Sequence, residues 1–156
     1  MIDWAGLRLP GLSADEAKKL LLKASQFKAL NPNNPSSSPV VLAPLTSQDV
    51  EHVLFKSDED THGRVHAGQE LPEDFQQDRA ERVRWIGVVL ARPDVVYFHR
   101  HVYDSFIYVC WVSDTERFAV VTTQYSKGVV HLTTAYVIDD SKWEKTKHKL
   151  KVVFRA

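Results

Sequence analysis

The chain has 156 residues, 44% of them apolar, which suits one domain with a core of ordinary size and excludes a disordered chain. Lys and Arg number 20 and Asp and Glu number 20, so there is no global pull toward nucleic acid or membrane and any anion site must be local. Cys110 is the only cysteine, which excludes an intrachain disulfide framework.

No apolar run approaches the roughly 18 residues that span a bilayer. The first residues, MIDWAGLRLPGLSADE, lack the basic and long apolar regions of a signal peptide. A cytoplasmic location without membrane association is expected.

In chain order, Ile2, Trp4, Leu7 and Leu9 form a short apolar lead-in. Ser13 and Glu16 have the spacing of a capping box. The helix they open is predicted to run through Ala17, Leu20, Leu21, Ala24 and Phe27 and to end at Asn31-Pro32. The stretch NNPSSSP, 33–39, reads as a flexible loop. Val40 to Leu45 reads as extended, and Thr46 or Ser47 as the cap of a short helix through Val50, Val53, Leu54 and Phe55.

Residues 57–70 (SDEDTHGRVHAGQE) have no apolar period and read as an exposed loop. A long helix is predicted from about Glu73 to Ala91, with Val83, Ile86 and Leu90 on its apolar stripe. Four runs rich in Val, Ile, Thr and aromatics follow between Val95 and Ile138, separated by short polar gaps. They predict four consecutive antiparallel strands. Trp143 to His148 reads as a short helix or turn, and Leu150 to Phe154 as a final edge strand. The fold expected is α+β, with N-terminal helices packed on a four- to five-stranded antiparallel sheet. It forms a single domain, with 1–39 as helical lead and flexible loop.

Three constellations could carry chemistry. His62 and His66 have the i, i+4 spacing of a metal pair, but Gly63 lies between them and no Glu follows His62 as in metalloproteases. They read as solvated loop histidines or as proton-transfer groups, and no metal or cofactor is expected. His99 and His101 share one strand face with Tyr97, and Arg100 lies on the other. Imidazoles titrate near neutral pH, and a guanidinium suits phosphate oxygens. On the fourth strand, strict alternation puts Thr134 and Tyr136 on the face of Val130 and Leu132, with His131 and Thr133 on the opposite one. The segment from Lys142 to Arg155 is basic and reads either as a solvated edge or as the border of a polyanion site.

The helix-and-turn sequence ERVRWIGVVLARPDVVYF, the antiparallel strands after it and the Thr134-Ala135-Tyr136 triplet resemble the phage-associated nucleases of the barnase–EndoU–colicin–RelE (BECR) superfamily, over roughly residues 61–139. The resemblance implies that residues 40–156 form a BECR-like core. It also implies an endoribonuclease needing no metal, of a toxin or phage-effector kind. By position, its proton-transfer and phosphate-holding groups would be His62 or His66, Arg82 or Arg100, and Thr134 with Tyr136. Strand residues His99, His101, Tyr108 and His131 would contact the substrate. RNA is then the expected partner, and a protein inhibitor a further one. The other expectations are a non-catalytic binding or immunity-type protein on the same scaffold, and a zinc hydrolase using His62, His66 and a strand histidine.

Overall fold

The computed structural model describes residues 2–23, 26–55, 74–100 and 103–156. Helices α1 (Trp4–Leu7) and α2 (Ala14–Lys23) lead into two short strands, β1 (Lys28–Ala29) and β2 (Val40–Val41). Helix α3 (Ser47–Leu54) follows, then α4 (Gln77–Ala80) and α5 (Val83–Ala91). The main strands are β3 (Val95–Arg100), β4 (Asp104–Trp111), β5 (Glu116–Ser126) and β6 (Val129–Asp139). Helix α6 (Asp140–Thr146), a 3-10 turn (Lys147–Lys149) and β7 (Lys151–Arg155) complete the chain.

The five long strands form one antiparallel sheet in the order β6-β5-β4-β3-β7. The predicted four consecutive strands are present, and the final one lies at the edge. The hairpin between β5 and β6 turns through Lys127-Gly128, where a backbone φ of +79° requires glycine.

Two predicted helices are shorter than their periodicity suggests. Past α2, Phe27 is already extended, because its carbonyl accepts the Leu42 amide (2.8 Å) and Lys28 and Ala29 pair with Val41 and Val40. The long helix from Glu73 is broken at Glu81 and Arg82. In an unbroken helix the Trp85 amide would bond to the Glu81 carbonyl. Here the Leu9 amide takes that carbonyl (2.9 Å), and Trp85 turns to Arg82 instead (2.9 Å). The Glu81 carboxylate accepts from Arg8 Nε and Nη2, the Gly11 amide and Gln77 Nε2, at 2.6–3.1 Å. These hydrogen bonds hold its pKa below the usual carboxylate value. The break is thus the anchor of the N-terminal segment.

Helices α2, α3 and α5 cover one face of the sheet. Ala17 and Leu21 of α2, Val50, Val53 and Leu54 of α3, and Val83, Ile86 and Leu90 of α5 share a core with Val96, Tyr108, Phe118, Val120 and Leu132. Trp85 packs edge-on against both Trp4 and Phe118, at 5.1 and 5.3 Å between ring centres. The opposite face carries a smaller cluster of Tyr97, Ile107, Val109 and Ala119, covered by Trp143 of α6. Beyond that cover, the described residues place no further apolar cluster on this second, open face. Among the described residues, no helix is long and apolar enough to cross a membrane.

Candidate functional site at the edge of β6

Two bulges shape the open face. The pairing Val121↔Thr134 is followed by Thr122↔Leu132, so Thr133 is an extra residue in β6. Tyr125 is extra in the same way between Gln124↔Val130 and Ser126↔Val129. Strict alternation fails at Thr133. Val130, Leu132, Ala135 and Val137 all join the helix-covered core, while Tyr136 and Ile138 pack with the opposite cluster. His131, Thr133, Thr134 and Tyr136, expected on two faces, therefore share the open one.

The open face carries a polar row across four strands, formed by the pairs His99↔Ser105, Ser105↔Thr123 and Thr123↔His131. Hydroxyls link it: Ser105 Oγ lies 3.2 Å from Thr123 Oγ1, which lies 2.6 Å from Thr133 Oγ1. The His131 ring sits edge-on to Tyr125 (5.5 Å), and Tyr125 edge-on to Tyr103 (4.7 Å). Tyr103 and Tyr125 are both about half exposed.

Where β6 meets α3, a concavity of about 110 Å³ is lined by Asp49, His52, Tyr125, His131, Leu132 and Thr133. It brings two imidazoles together. His52 is aimed there by the α3 start: the Asp49 amide donates to Thr46 Oγ1 (3.2 Å) and the Asp49 carboxylate accepts from the Thr46 amide (2.9 Å). Val50, Val53 and Leu54 bury the other side of that helix. Further along β6, Arg79 of α4 interacts electrostatically with Tyr136. Desolvation lowers the Arg79 pKa and raises that of Tyr136, with the charge of each partner opposing the shift.

The expected site residues scatter. His62, His66 and His101 lie outside the described residues. Arg100 is on the helix-side face of β3, opposite to His99, with its side chain 74% exposed and 3.5 Å from Asp104. It does not converge with Thr134 and Tyr136. Tyr108 is not a surface contact, because it is 2% exposed in the core and donates its hydroxyl proton to the Leu30 carbonyl (2.9 Å). Arg82 faces the helical layer, donating to the Asp78 carbonyl (2.8 Å) with its guanidinium over the Trp85 ring. The arginine beside Tyr136 is Arg79, one turn earlier. His99 is on the open face but three strands from His131, about 14 Å at the usual strand spacing, too far to share one phosphate.

Sequence reading missed His52 and Arg79. His52 sits in a helix whose period marks only its buried positions, and nothing local ties it to His131, 79 residues later. Among the described residues, no three of His, Cys, Asp and Glu are grouped as metal ligands would be. Comparison with protein-family models, curated proteins and solved structures gives no match in any of the three.

Proposed function

We propose that this protein cleaves RNA by attack of the ribose 2′-OH on the adjacent phosphorus, at the concavity between α3 and β6. The observation that carries the reading is that His52 and His131 line the same concavity with Tyr125 and Thr133. Cleavage of this kind needs one group to take a proton and another to give one. Imidazole does both near neutral pH.

One imidazole removes the 2′-OH proton as O2′ bonds to phosphorus. The imidazolium of the other protonates O5′ as the P–O5′ bond breaks. The products are a 2′,3′-cyclic phosphate and a 5′-hydroxyl, and no co-reactant is consumed. The Thr133 hydroxyl, linked to Thr123, supplies a donor for the charge that gathers on the pentacovalent phosphorus. Arg79, whose charge acts on Tyr136 about five residues further along β6, roughly 16 Å in extended chain, suits a phosphate about two or three nucleotides away. Tyr103 and Tyr125 offer exposed rings on which an unpaired base can stack.

A non-catalytic RNA-binding role is the second reading, favoured by that exposed tyrosine pair. The two separate on one substrate: an oligodeoxynucleotide carrying a single ribose, incubated in EDTA. Cleavage on the 3′ side of that ribose, with a cyclic phosphate at the new end, is expected. A 2′-O-methyl version should stay intact. Binding without cleavage of the ribose substrate would replace the nuclease by the binding protein.

A further inference from the structure

At the other end of the open face, a cavity of about 480 Å³ lies between the α6 segment and strands β3, β4 and β7. Its volume is within the roughly 300–1,000 Å³ typical of small-molecule sites. Tyr97 and Trp143 of its lining belong to the apolar cluster that Tyr136 and Ile138 of β6 join. Trp143, 1% exposed and edge-on to Tyr97 at 5.2 Å, holds α6 down as a fixed roof.

Two features of the cavity point to its ligand. The first is a flat platform. Trp111 is 43% exposed, and the Arg117 guanidinium lies over its ring, 3.2 Å from the centre. An ion pair with Asp140 holds Arg117 in that position. With Arg117 buried, the exposed part of the Trp111 indole is the surface on which a nucleobase can stack. The second is a basic rim, which shares the cavity with the Asp94 carboxylate. Lys147 is engaged by Glu144 at 2.9 Å, and His148 lies beside it. Arg155, at the end of β7, is exposed and makes no side-chain hydrogen bond or ion pair among the described residues. Its planar fork matches phosphate oxygens. The basic segment from Lys142 to Arg155 thus has a local use that a solvated edge strand does not require.

We propose that this cavity binds a nucleoside monophosphate, with the base against Trp111 and the phosphate on Arg155 and His148. The proposal does not rest on RNA cleavage at the β6 edge. A bare phosphate would leave the platform uncovered, and a nucleoside alone would leave Arg155 without an anion. The same chemistry is offered by a free nucleotide and by the phosphorylated end of an RNA strand.

The test is titration of the intact protein with AMP and UMP, followed by calorimetry and by tryptophan fluorescence. Adenosine, inorganic phosphate and a 5′-phosphorylated oligoribonucleotide with 2′-O-methyl riboses are run beside them. At least one monophosphate should bind saturably and quench fluorescence. Adenosine and phosphate should each bind about tenfold or more weakly, since each forgoes one of the two contacts. Arg155→Ala and Trp111→Ala should each weaken nucleotide binding by about tenfold, and Arg84→Ala, on exposed α5 surface, should not. Tighter binding of the oligonucleotide would identify the strand end as the ligand, and equal or weaker binding the free nucleotide. The proposal is overturned if neither monophosphate saturates, if phosphate alone binds as tightly, or if Arg155→Ala binds like wild type.

Discussion

On the helix-covered face of the sheet, Val96, Tyr108, Phe118, Val120 and Leu132 meet three helices in one apolar layer. On the opposite face, the same strands present His99, Ser105, Thr123 and His131 in a row. The two faces differ in what holds their residues in place. Burial dictates the first: Tyr108 is tolerated there because its hydroxyl finds the Leu30 carbonyl, and Thr122 lies 1% exposed within the same layer. On the second, the apolar cluster among the described residues is the one under Trp143. The remainder is linked by hydroxyls and bends at two bulges, which turn Tyr125 and Thr133 outward beside His131. A side chain that the core does not need is free to serve a ligand.

Substitutions sharpen this contrast. Phe118→Ala, on the covered face, should cost roughly 3–5 kcal/mol in denaturant unfolding. A loss below about 1 kcal/mol would mean that the ring is not part of a packed core. Glu81→Gln, which weakens the N-terminal anchor, should cost about 1.5–3 kcal/mol at neutral pH. Because the folded carboxyl has a depressed pKa, its contribution is complete above about pH 4.5 and is lost as pH falls through the lower folded value. The gap between wild type and Glu81→Gln should therefore close in acid, and a gap independent of pH would remove the carboxylate from the anchor.

On the open face, Thr123→Val breaks the hydroxyl chain and should cost only about 1 kcal/mol. A loss as large as that of Phe118→Ala would erase the distinction between the faces. Cys110, on the covered side, has its thiol pKa pushed up to about 12 by burial. It should resist thiol reagents at neutral pH until the protein unfolds, and rapid labelling of the native state would show that layer to be open.

Much of the architecture was legible because it follows from burial. Alternating β-formers between Val95 and Ile138 gave the four strands, and the Val83, Ile86 and Leu90 stripe gave the packed side of α5. Helix ends were less legible. Glu81 and Phe27 leave their helices for partners far away in sequence, Leu9 and Leu42, and no local propensity contains that information. The site was legible as a strand and illegible as a place. His131, Thr134 and Tyr136 stand out as polar strand residues, but strict alternation divides them between two faces, and the bulge at Thr133 reunites them. His52 and Arg79 arrive from helices whose patterns advertise only their apolar sides.

The central claim is that the β6 edge does chemistry rather than support the fold. The most direct measurement is the rate of RNA cleavage in EDTA by wild type, His131→Ala and His52→Ala, with unfolding free energy determined on the same preparations. Loss of a proton-transfer imidazole should slow cleavage roughly 10²–10⁴-fold for each variant. Stability should fall by much less than for Phe118→Ala, since neither ring belongs to the apolar core. Wild type that leaves the RNA intact, or variants that cleave at the wild-type rate, would contradict the account.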